Sequence, residues 1–140
     1  MKILVTGGCG YKGTVLTQQL LEDGNEVIVV DTQWFGNFLE AHPRLRILQE
    51  DVRNTENIPL NGVNAVIHLA NIANDPGVEL NPSLSWEVNV LATQQLIDQA
   101  VRSGVDQFIF ASSGSVYGVK KENKVIAPIM ENNPRTIYFV

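Results

Sequence analysis

Glycines at positions 7, 10 and 13 follow directly on the apolar run Ile3-Leu4-Val5-Thr6 and precede residues whose apolar members recur at helical spacing. Glycines so placed at a strand-to-helix turn suit a phosphate. Backbone N–H groups and the positive end of the helix dipole converge there, and no side chain blocks an anion's approach. Gly7 permits the tight turn, Gly10 leaves the backbone open, and Gly13 lets helix and strand pack closely. The pattern alone is equally that of a turn that binds nothing. Cys9 reads as a small filler rather than a reactive thiol, although a helix N-terminus can depress a thiol pKa. Lys12 either stands over a pyrophosphate or points to solvent.

Asp31 narrows the choice. It closes the apolar run Val27-Ile28-Val29-Val30, 18 residues beyond Gly13, where a carboxylate accepts hydrogen bonds from an adenosine ribose. The same charge repels a 2'-phosphate, and Thr32-Gln33-Trp34-Phe35-Gly36 brings no basic residue. The pair of features predicts NAD in preference to NADP. Taken singly, Asp31 is an ordinary turn or cap residue.

Short apolar runs alternating with helical stretches position these residues, a pattern of βαβ units. The strands are Ile3 to Thr6, Val27 to Val30, Leu45 to Leu48 after the break at Pro43, Ala65 to Leu69, and Phe108 to Ala111. Between the first two, Val15, Leu16, Gln19, Leu20 and Leu21 mark a helix that Gly24 and Asn25 stop. A longer helix begins after Asn81-Pro82-Ser83, capped by Ser83, or by Asn81 with Pro82 at its first position. It turns Leu84, Val88, Leu91, Ala92, Leu96, Ile97, Ala100 and Val101 toward the sheet and stops at Gly104. Right-handed crossovers then give an α/β, Rossmann-like, doubly wound parallel sheet of five strands in the order 3-2-1-4-5. Residues 1–118 form this domain. Residues 119–140 are read as a loop, with Lys120 to Lys124 solvated, and the last residues show no clear period.

Composition removes other functions. Ten Lys and Arg without a run, and a net charge of −5, offer no surface for nucleic acid or anionic membrane. No apolar run approaches a membrane span or a signal peptide, so a cytoplasmic protein is expected. One cysteine and two distant histidines assemble neither a disulfide nor a zinc site.

Five motifs in order resemble the extended short-chain dehydrogenase/reductase family, in particular its NAD-dependent nucleotide-sugar epimerases and dehydratases. They are Thr6-Gly7-Gly8-Cys9-Gly10-Tyr11-Lys12-Gly13, Asp31, Asp51-Val52-Arg53, His68-Leu69-Ala70-Asn71, and Ser112-Ser113-Gly114-Ser115-Val116-Tyr117-Gly118. The resemblance implies that the first motif holds the pyrophosphate, that Asp51 binds the adenine amino group, and that Val52 packs on the ring. Asp51 otherwise merely starts a turn. Leu69, Ala70 and Asn71 would line the cofactor, and Asn71 to Pro76 would lead over the substrate side. His68 is read as a packed strand-end residue and not a base. Asn89 matches an asparagine common in the family and either pairs with backbone or lies on the helix surface. Lys12 departs from the usual apolar residue. Gly114 and Ser115 depart from the acidic pair of dehydratases, which favours epimerase or reductase chemistry.

Ser113 takes the place of the family's catalytic Ser/Thr, hydrogen-bonding the reacting substrate oxygen. Asn133-Pro134-Arg135-Thr136-Ile137-Tyr138 resembles the lead-in to its catalytic tyrosine, whose partner Lys four residues on lowers the phenol pKa by its charge. That Lys would be position 142, beyond these 140 residues, and the resemblance implies that residues 119–140 are a loop and the truncated start of the catalytic-helix region. Tyr138 is therefore either the catalytic tyrosine without its partner or a chance match. The expectation is a chain that ends before the substrate lobe, inactive alone, with bare apolar surface on strand five that leaves it marginally stable, aggregation-prone or stabilised by self-association as a homo-oligomer. The resemblance implies a nucleotide-sugar substrate for the whole enzyme. The competing expectation is a non-catalytic dinucleotide-binding regulatory or interaction module.

Overall fold

The runs Ile3 to Val5 and Val27 to Val30 are apolar at every position, which suits only strands covered on both faces. In the computed structural model they are neighbours at the centre of a parallel sheet. The structure describes residues 1–72, 75–112 and 137–139, with 75, 76 and 137–139 described as backbone only. Strands β1 (Lys2–Thr6), β2 (Glu26–Asp31), β3 (Leu45–Gln49), β4 (Ala65–His68) and β5 (Gln107–Phe110) lie in the order 3-2-1-4-5. A sixth strand, β6 (Ile137–Phe139), extends the sheet beside β5. This corrects the expected helical start in that segment: residues 137–139 are extended, with Tyr138 opposite Ile109.

Two apolar layers cover the sheet. Leu4, Ile28, Val30, Val66, Leu96 and Phe108 pack on one face, while Ile3, Val5, Val27, Val29 and Leu21 pack on the other. Helix α1 (Tyr11–Glu22) meets the sheet through Gly13, Thr17 and Leu21, spaced four apart on one stripe. Val15 points outward at 67% exposure, contrary to the apolar stripe read from sequence. Thr17 takes the buried place one turn on from Gly13.

The second helical stretch is broken in three. After α2 (Asp75–Leu80), which sequence periodicity did not mark, α3 (Pro82–Trp86) starts at Asn81, whose Oδ1 accepts the Leu84 N–H at 3.0 Å. A π-helical turn, Glu87–Ala92, then leads into α4 (Thr93–Arg102). The buried stripe runs through Val88, Ala92, Leu96 and Ala100, while Leu91 and Val101, expected on it, are exposed. Gly104, at φ +75°, ends α4 as expected. No helix among the described residues is long and apolar enough to cross a membrane.

Candidate functional site

The C-terminal ends of β1, β2 and β4 meet where the chain crosses from one side of the sheet to the other, the place where such sheets leave a crevice. Gly7 donates its N–H to Val30 O at 2.8 Å. Its φ of +70° and a Cβ position 2.7 Å from Ala70 N exclude any side chain there. A Cβ on Gly13 would run into Gly7 O and lie 2.6 Å from Gly8 Cα, so this glycine seats α1 on the strand. Gly10 is different. A Cβ there would meet only Gly7 O at 3.3 Å, and its other side opens on the crevice. As N-cap it offers no side-chain acceptor, and no acidic residue follows in the first turn. The first N–H groups of α1 are left for an anion. This open, uncapped turn fits a dinucleotide's pyrophosphate.

Asp31 ties the turn to the next loop. One carboxylate oxygen accepts the Cys9 N–H at 2.9 Å and the other the Gln33 N–H at 2.7 Å. Cys9 is buried, and its Sγ donates to Asn37 Oδ1 at 3.6 Å. Burial, with the Asp31 charge adding to it, pushes its thiol up to about 11. Cys9 is a structural filler, not a nucleophile.

Asp51 stands at the mouth of β3. Arg53 grips its carboxylate through Nε at 3.1 Å and Nη2 at 2.8 Å, and reaches Glu87 Oε2 on the π-helical turn at 2.9 Å. These hydrogen bonds hold the Asp51 carboxyl below the usual carboxylate range. Asp51 also starts the turn its sequence context suggested, its carbonyl accepting the Asn54 N–H at 3.0 Å. Val52 is buried against Val88 and Ala92.

A buried chain of hydrogen bonds holds the loop after β4. Thr93 Oγ1 donates to Asn89 O at 3.0 Å, so it accepts from His68 Nε2 at 2.9 Å. His68 Nδ1 is therefore the acceptor for the Thr6 hydroxyl at 2.6 Å, and Thr6 Oγ1 in turn accepts the Ala70 N–H at 3.3 Å. The directions assign the neutral Nε2–H tautomer. Burial pushes the imidazole down to about 4, so His68 is packed and uncharged at neutral pH, as its strand-end position suggested. Asn89 completes the arrangement. Its Oδ1 accepts the Ile72 N–H at 2.7 Å and its Nδ2 donates to Ile72 O at 3.0 Å. Of the two readings of Asn89, backbone pairing is the one found.

These elements enclose a cavity of ≈ 160 Å³. Gly7, Gly10, Asp31, Asp51, Val52, Leu69, Ala70 and Asn71 all line it. Tyr11 and Lys12 are exposed on α1 outside the lining, and Gly13 lies buried behind it. Ser113 lies outside the described residues, as do Ser115, Tyr117 and the boundary at 118. The aromatic pair Trp34 and Phe35 also lines the cavity. Nothing in the sequence marks the pair as facing a cavity, because apolar residues in a loop carry no period.

The family model of the NAD dependent epimerase/dehydratase family matches residues 3–140. The chain belongs to this family. A member from Methanocaldococcus jannaschii, a putative UDP-glucose 4-epimerase, is 33% identical over 94% of this chain and 43% of its own length. The UDP-glucose 4-epimerase of Thermotoga maritima, solved with UDP-glucose, is 30% identical with a TM-score of 0.76, over 92% of this chain and 42% of that one. A dTDP-glucose 4,6-dehydratase from Streptomyces venezuelae, solved with NAD bound, is 31% identical with a TM-score of 0.80, over 96% and 47%. The chain thus spans less than half the length of these family members.

Proposed function

We propose that this chain is the NAD-binding portion of a nucleotide-sugar epimerase or dehydratase that works by transient hydride transfer. The observation that carries the proposal is Asp31, a carboxylate at the end of β2 bonded into the glycine turn and lining the same cavity as Gly7, Gly10 and Asp51. In this reading Gly7, Gly10 and the first N–H groups of α1 receive the pyrophosphate, with Tyr11 and Lys12 at its outer edge. Asp31 accepts the adenosine ribose hydroxyls, Asp51 faces the adenine amino group, and Val52 packs on the ring. Leu69, Ala70 and Asn71, held by Thr6 and Asn89, line the path toward the nicotinamide. NAD, when bound, supplies the acceptor and donor of a hydride. Ser113 would hydrogen-bond the reacting sugar oxygen, and Tyr138 would take and return its proton.

A second reading, a dinucleotide-binding module without turnover, draws on β6. Extended backbone at Tyr138 does not present a neighbour one helical turn away to lower the phenol pKa. Both readings expect the 140 residues alone to turn over at most traces of nucleotide sugar. A panel of UDP- and dTDP-sugars with NAD, followed by product analysis and NADH absorbance, tests this. Robust turnover contradicts it.

A further inference from the structure

Trp34 and Phe35 occupy the two central positions of a tight turn, closed by the Gly36 N–H to Gln33 O at 2.9 Å. Neighbouring residues hold the turn at both ends. Gln33 is held at φ +59° by its N–H to Asp31, and Gly36 sits at φ +92°, with the Phe38 ring in contact range of its Cα side. A second tether runs from Cys9 Sγ to Asn37, which also caps the Leu39 N–H at 3.0 Å. Yet Trp34 is 60% exposed and Phe35 85% exposed while both line the cavity. Large apolar surface held out in water beside a cavity is surface a ligand covers. Val52 and Val88 line the same cavity with aliphatic surface. A cavity lined by aromatic and aliphatic side chains together with the acceptor-only carboxylate of Asp51 suits a flat heterocycle with an exocyclic amine.

We propose that Trp34, assisted by Phe35, is an affinity-determining clasp that stacks on the adenine, making the adenosine half the anchor of cofactor binding. This rests on the NAD-binding reading above. Because Asp31 and Cys9 tether the clasp to the glycine turn, the adenine and pyrophosphate subsites form one rigid unit. The exposure of Trp34 means that truncating it costs the fold little, so a loss of binding reports on the ligand.

The test uses the 140-residue chain carrying Trp86→Phe, which leaves Trp34 as the sole indole. AMP and NAD are expected to quench its fluorescence at saturation, whereas nicotinamide mononucleotide is not. Trp34→Ala should weaken NAD by about 10-fold, the effect of losing one base–aromatic stack, and Trp34→Phe should stay within about threefold of wild type. Calorimetric NAD binding with an unquenched Trp34, or with Trp34→Ala at wild-type affinity, overturns the clasp and leaves the NAD-binding reading standing. Absence of any NAD binding to the unsubstituted chain overturns that reading itself.

Discussion

The two oxygens of Asp31 divide their work, one accepting the Cys9 N–H of the glycine turn at 2.9 Å and the other the Gln33 N–H at 2.7 Å. A ligand's ribose would meet a carboxylate already aimed by the backbone on both sides. Asp31→Asn keeps the shape but has only one acceptor oxygen, and turns an NH2 toward one of the two N–H donors. The variant should bind NAD at least about 10-fold more weakly and lose about 1–2 kcal/mol of stability. Calorimetry and urea denaturation measure the two effects. Unchanged NAD affinity would remove Asp31 from the site.

Gly10 and Gly13 should separate binding from folding. Gly13→Ala drives a methyl into the Gly7 carbonyl and should cost about 2–4 kcal/mol of stability. Gly10→Ala is tight only against the Gly7 carbonyl oxygen, at 3.3 Å, and places the methyl on the open side of the turn. Its melting temperature should fall far less than that of Gly13→Ala while NAD binding falls. Equal destabilisation by both variants would contradict the division of labour.

Acid should destabilise the protein in two separate windows. The folded state holds His68 neutral down to about 4, against an ordinary value of 6.5. Between these pH values the unfolded chain binds the extra proton, so stability falls as pH drops from 6.5 to 4, by about 3 kcal/mol in all. Asp51, whose folded pKa is depressed, contributes stability that is complete above its ordinary value of 3.8 and is lost at lower pH. Urea midpoints from pH 7 to 3 should show the first slope. His68→Phe, less stable at pH 7 for loss of its two bonds, should flatten it; an unchanged slope would show that His68 is not the titrating group.

Asn89 acts through the backbone of Ile72. Asn89→Ala leaves that N–H and C=O unpaired and should cost about 2 kcal/mol, with faster amide exchange at Ala70 to Ile72 than elsewhere in the sheet. Asn89→Asp keeps the acceptor but sets a carboxylate oxygen against Ile72 O, and should not restore protection. Protection unchanged in both variants would refute the clamp.

Much of this was legible in the residues. Val27 to Val30 is apolar throughout and announces a central strand, and Gly7, Gly10, Gly13 and Asp31 announce the turn they build. The π-helical turn at Glu87–Ala92 was not legible, because a switch from i→i+4 to i→i+5 backbone hydrogen bonds leaves no trace in composition. β6 was hidden because Ile137 to Phe139 is three residues long and sits in a segment that resembles a helix lead-in. Trp34 and Phe35 are hidden in sequence for a different reason. Apolar residues in a loop carry no period, and only the fold shows that they face a cavity.

Calorimetric titration of the 140-residue chain with NAD and with NADP probes the site around Asp31 directly. NAD should bind more tightly, by about 10-fold or more, because the Asp31 carboxylate repels a 2'-phosphate. A preference for NADP, or equal affinity for both, would contradict it.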